Sequence, residues 1–194
     1  MYAYFRGKLI EKNPTEAILE CGGVAYVLNI SLQTFSKIKD QEDCKLFAHL
    51  IVREDAHILY GFATQAEREI FLKLITVNGV GSNTARMILS SLSEDEIVNA
   101  ILGNQVNVLQ SVKGIGLKTA QRIIIDLKDK IGKSDSLPEI FGIGHNRKRE
   151  EALSALIMLG FAKSAAEKAL DKIVKDGKSD LAVEDWIKMA LKVL

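Results

Sequence analysis

The chain has 194 residues, of which 47% are hydrophobic and 26% are charged, and its formal net charge is +1. This length suits one ordinary domain or two to three small ones, and the apolar content excludes an intrinsically disordered chain. The near-zero net charge excludes strong binding of nucleic acid through the overall field of the protein alone.

Two further function classes are disfavoured by the order of the residues. The longest apolar stretches are interrupted by charges before they reach bilayer length, and residues 1–6 lack the layout of a signal peptide. We therefore expect a cytoplasmic protein with no membrane-spanning segment. Cys21 and Cys44 stand in no metal-ligand spacing, so we expect buried free thiols and neither a disulfide nor a zinc site.

Residues 1–63 consist of short alternating runs separated by turn signals such as Asn13-Pro14 and Gly22-Gly23. The pattern predicts a helix near 32–38 and five strands, at 4–10, 17–21, 24–30, 45–53 and 57–62. Five strands with one helix inserted after the third favour an oligonucleotide/oligosaccharide-binding (OB) type barrel.

The turn between the last two strands is acidic and reads Arg53-Glu54-Asp55-Ala56. A solvated hairpin tip is the simplest interpretation, since acidic residues are common in turns. A metal-dependent nuclease is disfavoured because adjacent residues of an extended chain point to opposite faces and no third carboxylate has a helpful spacing. His49 and His57 flank this turn without a carboxylate or cysteine partner, so we interpret them as ordinary strand residues and expect no metal site.

Residues 64–131 change to helical periodicity. Thr64-Gln65-Ala66-Glu67 and Ser93-Glu94-Asp95-Glu96 both have the capping-box form ahead of an apolar run. Helices should begin near Gln65 and Glu94, in a compact all-helical domain of about five helices.

One stretch of this domain occurs twice, as Val77-Asn78-Gly79-Val80-Gly81-Ser82-Asn83-Thr84-Ala85 and as Val112-Lys113-Gly114-Ile115-Gly116-Leu117-Lys118-Thr119-Ala120. Each copy predicts helix, tight hairpin, helix. The glycines let a partner approach the backbone closely, and the helix that follows begins with unpaired N–H groups that suit a phosphate. The predicted DNA-phosphate-binding residues are Asn78, Gly79, Val80, Gly81 and Asn83 in the first copy, and Lys113, Gly114, Ile115, Gly116, Lys118 and Arg122 in the second.

The two copies differ in charge. Lys118 and Arg122 lie at i and i+4 and share one helix face, so both can add charge-assisted contacts to a phosphate. The first copy has the neutral Asn83, and Arg86 is the cation one turn away. We expect contacts to DNA backbone that are blind to sequence.

Helix-hairpin-helix units also occur in DNA glycosylases, nucleases, ligases and polymerases. Asp126 is the acid nearest to the second copy, and the periodicity of its helix explains it as part of a polar face. The sequence has no nucleophile-base pairing and no Gly-rich ATP loop, so we expect no catalysis by the chain alone and no cofactor.

Residues 132–146 contain turn formers, a proline and no periodicity, which predicts a flexible linker. Helical spacing resumes in 147–194 and predicts three short helices. Leu156, Leu159 and Phe161 lie on an apolar stripe there. They are either the core of this small bundle or an exposed patch that docks a partner's helix or hairpin.

Along almost its whole length the chain resembles the RuvA family, the Holliday junction branch migration subunits of bacteria. The resemblance rests on both hairpins and on Arg6-Gly7, Gly22-Gly23-Val24-Ala25-Tyr26, Arg53-Glu54-Asp55-Ala56, Leu59-Tyr60-Gly61-Phe62 and Ala155-Leu156-Ile157-Met158-Leu159-Gly160-Phe161. It implies an α+β multidomain protein with an OB-type barrel (1–63), a tandem helix-hairpin-helix domain (64–131), a linker (132–146) and a UBA-like three-helix docking domain (147–194).

The resemblance also implies a function. Members bind four-way junction DNA as homotetramers, singly or as two tetramers face to face, and they load the hexameric ATPase RuvB in recombination, DNA repair and the SOS response, with a RuvC-type resolvase as a further partner. Glu54 and Asp55 would form an acidic pin at the tetramer centre, and Leu156, Leu159 and Phe161 would dock RuvB. The alternative is a general duplex-binding module of another repair enzyme.

The chain departs from the family at two positions. Members commonly carry Lys where this chain has Asn83, and often another where it has Leu117. Because each difference removes a cation, we expect a shallower salt dependence of DNA binding than a fully basic pair of hairpins would give.

Overall fold

The computed structural model describes residues 2–38, 43–132, 144–175 and 182–194. They form two compact units, Met1–Ser136 and Leu137–Leu194, which are considered separately. Among the described residues, no helix has both the length and the apolar character that crossing a bilayer requires.

The N-terminal part of the first unit is a closed five-stranded barrel with strand order β1-β2-β3-β5-β4. Only the β3-β5 pair is parallel among these strands. The elements are β1 (Tyr4–Asn13), β2 (Glu16–Cys21), β3 (Val24–Asn29), α1 (Leu32–Lys37), β4 (Asp43–Val52) and β5 (His57–Phe62). The predicted OB-type architecture, with its helix after the third strand, is confirmed.

Alternation along the strands builds the barrel core, since successive side chains point to opposite faces. Ala17 and Leu19 of β2, Leu28 of β3, and Leu46 and Ala48 of β4 are completely buried. Both cysteines are free thiols, with Cys44 buried and Cys21 half-buried. Burial raises the pKa of the Cys44 thiol, which disfavours its reactive thiolate.

Five helices follow the barrel, as predicted: α2 (Gln65–Leu74), α3 (Ser82–Ser91), α4 (Glu94–Leu102), α5 (Val106–Gln110) and α6 (Leu117–Gly132). Their apolar faces share one core with the end of β5, where Tyr60 and Phe62 pack against Phe71. Barrel and helices are therefore continuous within this unit.

The two predicted capping boxes behave differently. Ser93 and Glu96 form the complete reciprocal box at the start of α4. At the start of α2 the Thr64 side chain accepts from the Glu67 N–H, but the Glu67 carboxylate turns away and accepts from the hydroxyls of Ser31 and Thr34. Thr64 and Glu67 thus form half a box, because Glu67 links α2 to the barrel helix α1.

Glu67 is a fully buried carboxylate in this joint. Burial raises the pKa of Glu67, while the hydrogen bonds from Ser31 and Thr34 act in the opposite direction. The backbone N–H of Ala63 also donates to it. The side chain therefore holds α1, α2 and the end of β5 together.

The second unit contains three helices, α7 (Gly144–Met158), α8 (Lys163–Lys175) and α9 (Val183–Leu191). Their core includes Ala152, Leu156, Leu170, Ile173 and Trp186. Of the predicted linker, Gly132 ends α6 and 144–146 lie in α7, whereas 133–143 lie outside the described residues.

Candidate nucleic-acid interface

The two glycine hairpins have the same backbone conformation. Gly79 and Gly114 both have φ of 91°, a left-handed value that favours glycine. In each hairpin the apolar residue that follows is buried and turns its N–H back into the loop, from Val80 to the Val77 carbonyl (3.0 Å) and from Ile115 to the Val112 carbonyl (3.1 Å). The sequence repeat is therefore a structural repeat.

These same bonds correct part of the predicted site. Val80 and Ile115 were expected to contact phosphate, but their N–H groups are already paired and their side chains lie in the core. They anchor the hairpins from inside. The sequence pattern did not reveal this, since a Gly-hydrophobic-Gly triplet looks exposed throughout.

Open N–H groups lie at the helix starts instead. Gly81 is the N-cap of α3 and has no side chain to cap it, and the first helical bond runs from Ala85 N–H to the Gly81 carbonyl (2.9 Å). The matching bond in the second copy joins Ala120 and Gly116 at 3.0 Å. The helix itself provides no acceptor for the three N–H groups between each pair, so each start is a site for an anion.

Gly81 and Gly116 are not required by the protein's own backbone. Gly81 has φ of −80°, which any residue can adopt, and Gly116 is outside the left-handed region. An ideal Cβ at either position would meet no atom of the described residues within 4 Å. The absence of a side chain here leaves room for something outside the chain, close to the open N–H groups.

The cations near the hairpins are unevenly placed. Lys113, Lys118 and Arg122 are exposed at the second hairpin, whereas the first presents the neutral Asn78 and Asn83. Arg122 also donates from Nη1 to the Asn78 carbonyl at 3.3 Å, so it connects the helix after the second hairpin to the loop of the first.

Arg86 was considered as the cation that serves the first hairpin, and this is wrong. Its Nη1 donates to Asn29 Oδ1 (2.9 Å) and to the Thr15 carbonyl (3.2 Å), both on the barrel. No sequence signal indicated this, because the partners are far apart along the chain.

The acidic turn projects into solvent. Glu54 and Asp55 are exposed at the end of the β4-β5 hairpin, which Arg53 closes by donating its N–H to the Ala56 carbonyl (2.8 Å). Within the described residues, neither carboxylate has a hydrogen bond or an ion pair, and no group of three potential metal ligands occurs. The turn is an unneutralised pair of negative charges.

The flanking histidines serve the barrel. His49 lies opposite Tyr60, so it is not the cross-strand partner of His57, which pairs with Val52. The His49 ring packs edge-on against Phe71, and burial lowers the pKa of His49, aided by the positive charge of Arg68. This arrangement agrees with the interpretation of strand residues.

The predicted docking residues of the C-terminal unit divide into two groups. Leu156 is completely buried, so its predicted contact with a partner is corrected to a place in the core. Leu159 is 61% exposed and Met158, which the prediction missed, is 86% exposed. Phe161 is half-buried and packs on the core.

The end of α7 explains this division. Gly160 has φ of 98°, Phe161 N–H bonds to the Leu156 carbonyl (3.2 Å) and Gly160 N–H bonds to the Ile157 carbonyl (3.0 Å), which together make a Schellman motif. The motif turns Phe161 back toward Leu156 and leaves Met158 and Leu159 on the outside. We call these two residues the apolar tip.

A closed OB-type barrel continuous with paired helix-hairpin-helix units defines the class of multidomain helix-hairpin-helix proteins. Three family descriptions match the chain: RuvA N terminal domain at 1–61, SAM-like helix-hairpin-helix tandem at 71–129, and RuvA C-terminal domain at 147–194. The chain belongs to the RuvA family.

Curated relatives match from end to end. The chain is 53% identical to a protein of Christiangramia forsetii and 50% identical to one of Flavobacterium psychrophilum, each over 194 residues and the whole of both chains. A protein of Amoebophilus asiaticus is 44% identical over 99% of this chain and all of its own length. All three are named Holliday junction branch migration complex subunit RuvA.

Proposed function

We propose that this protein recognises four-way junction DNA, without regard to sequence, as a subunit of a branch migration complex in recombination and repair. The proposal follows the names of its full-length relatives and the geometry of its two hairpins. Each hairpin offers amide donors, and neither presents side chains arranged to read base edges.

The observation that carries the proposal is the open space above Gly81 and Gly116. A phosphate that approaches each helix start meets three N–H groups and the positive end of the helix dipole without a Cβ between them. Lys118 and Arg122 add charge at the second site. Two such sites in one subunit suit the backbone of one duplex arm.

Contacts of this kind are weak singly, and a net charge of +1 adds little. We propose that a homotetramer, alone or paired with a second tetramer, makes them effective, because four linked binding events multiply affinity only when the ligand matches their symmetry. A four-way junction has that symmetry and a linear duplex lacks it.

Glu54 and Asp55 would then act as the acidic pin at the centre of the assembly. Their unpaired charges repel phosphates of the crossing strands, and the repulsion grows where several copies crowd together. This use involves no covalent chemistry and no metal.

In this proposal the chain itself is not catalytic. The force for migration comes from a RuvB-type hexameric ATPase that docks on the apolar tip of the C-terminal unit, and the RuvC-type resolvase stays a prediction. The apolar tip suits this role because large apolar side chains that are exposed next to each other are typical of interaction sites.

Binding to a four-way junction and to linear duplex of equal length and composition, at one salt concentration, tests the proposal. We expect clearly tighter binding to the junction, together with a solution mass of four or eight chains. Equal affinities would favour the general duplex-binding module. Nicks in the junction after incubation with magnesium or manganese would instead indicate a nuclease.

A further inference from the structure

Helix α3, which begins at the first hairpin, is fastened to the barrel at both of its ends. At its start Tyr60 of β5 donates its hydroxyl hydrogen to Ser82 Oγ at 2.9 Å, in a buried contact directly after Gly81. Near its end the Ser90 hydroxyl accepts from the Leu32 N–H at 3.1 Å. The open N–H groups of the first hairpin therefore have a fixed place relative to the barrel.

Arg86 supplies the contact between these ends. Its bonds to Asn29 Oδ1 and the Thr15 carbonyl place the guanidinium across the turn before β2 and the end of β3. The Asn29 amide continues the path by donating to the Leu59 carbonyl of β5 at 3.3 Å. Since β5 begins two residues after Asp55, this path leads from the first hairpin to the strand that carries the acidic turn.

The second hairpin has a different support. The side-chain hydrogen bonds found for α6 go to the hairpin domain itself, from Arg122 to the Asn78 carbonyl and from Lys128 to Asn104 Oδ1 at 3.1 Å. The barrel thus positions the first hairpin, and the first hairpin positions the second. Looser attachment of α3 would move both phosphate sites relative to Glu54 and Asp55.

We propose that Arg86 is a positioning residue for junction recognition: it sets the spacing between the hairpins and the acidic turn without touching DNA. This inference rests on the proposed function. A linear duplex needs only the hairpins, so their distance from the acidic turn is immaterial to it. A junction must meet the hairpins of every copy while its crossover lies over the acidic turns, so a wrong spacing costs affinity for the junction alone.

Two variants separate this role from others. Arg86→Met keeps most of the aliphatic length and removes the donors and the charge. Asn29→Ala removes the main acceptor and the link to Leu59 without any change of charge. Both are compared with the parent by thermal unfolding, and by binding to junction and duplex over a series of salt concentrations.

We expect each variant to bind the junction about tenfold more weakly and duplex within about twofold of the parent, because only the multivalent fit is lost. The slope of log affinity against log salt should stay that of the parent for Arg86→Met. Arg86→Lys, with one donor group, should recover part of the junction affinity.

Three results would overturn the inference. The first is an equal loss for junction and duplex, which would mark general support of the fold. The second is a slope smaller by about 0.9, which would make Arg86 a phosphate ligand. The third is unchanged junction binding by both variants. A parent protein that binds junction and duplex equally would refute the proposed function itself, whatever the variants do.

Discussion

Arg122 of α6 donates from Nη1 to the backbone carbonyl of Asn78, 3.3 Å away, so one side chain joins the two hairpins. The side chain is otherwise exposed, and its other guanidinium donors face solvent on the side of the second helix start. Arg122 therefore has two roles in this account: it holds the first hairpin loop in place and adds charge to the second phosphate site.

Replacing Arg122 with Gln should weaken binding to junction and duplex alike. Because one cation near phosphate is lost, the slope of log affinity against log salt should become smaller by about 0.9 for each neutralised phosphate. Arg122→Lys is the matched control: it keeps the charge and should keep the slope, while losing affinity through the poorer bond to Asn78. Parent-like affinity and slope for Arg122→Gln would remove this residue from the site.

The acidic turn gives the opposite prediction. Glu54→Gln with Asp55→Asn should bind junction as well as the parent or better, because repulsion of phosphates is removed, and should change the rate of branch migration with the partner ATPase. Glu11→Gln with Glu20→Gln makes the same change of charge at exposed positions elsewhere on the barrel and should leave migration unaltered. Identical migration rates for both double variants at all salt concentrations would count against the pin.

The apolar tip should matter for the motor and not for DNA. Met158→Ser with Leu159→Ser removes exposed side chains, so junction binding and thermal unfolding should match the parent while ATPase-driven migration falls. Val174→Ser, an exposed apolar position on α8, is the matched control and should migrate normally. A double variant that migrates at the parent's rate would place the docking surface elsewhere.

Leu156 offers a contrast in the same segment. Because it is completely buried, Leu156→Ala should destabilise the C-terminal unit by about 2–5 kcal/mol. The single tryptophan, Trp186, is buried in the same core, so its fluorescence during urea unfolding measures this loss. A variant with unchanged stability would contradict the assignment of Leu156 to the core.

Glu67 should make stability depend on pH in an unusual direction. Burial raises its pKa in the folded protein, so as pH rises the unfolded chain releases this proton first. Between the ordinary Glu pKa and the raised one, the folded state binds more protons, and the contribution of Glu67 to the free energy of unfolding decreases as pH rises.

Glu67→Gln removes this titration and keeps the size of the side chain. The free energy of unfolding of the variant minus that of the parent should therefore increase as pH rises from the ordinary Glu pKa upward. Urea unfolding followed by circular dichroism at several pH values measures the difference. A difference that stays constant over this range, or that decreases, would show that burial does not govern the Glu67 proton.

Local patterns predicted most of the fold. Alternation gave the five strands, because each strand of the barrel buries one face, and the repeated glycine triplets gave two hairpins with equal φ values. The Ser93-Glu96 box was also correct, since both partners lie within one helical turn. The fold class is confirmed for these reasons.

The side-chain partners could not be predicted in the same way. Arg86 bonds to a carbonyl 71 residues away and Arg122 to one 44 residues away, so no short-range spacing reports either contact. Glu67 left its expected capping bond for hydroxyls on α1, which only the packed barrel brings near. The sequence thus showed which residues resemble a site, and tertiary packing decided which of them are free to act.

The most direct test of the central claim replaces Gly81 and Gly116 together with Ala and measures junction binding. No atom of the described residues lies within 4 Å of the added Cβ atoms, so thermal unfolding should match the parent, unlike Gly79→Ala with Gly114→Ala, where φ of 91° makes the change strained. We expect the Gly81/Gly116 variant to fold normally and to bind the junction at least about tenfold more weakly, because the methyl groups occupy the space of the phosphates. Normal folding with parent-like junction binding would contradict the claim that these two glycines hold DNA.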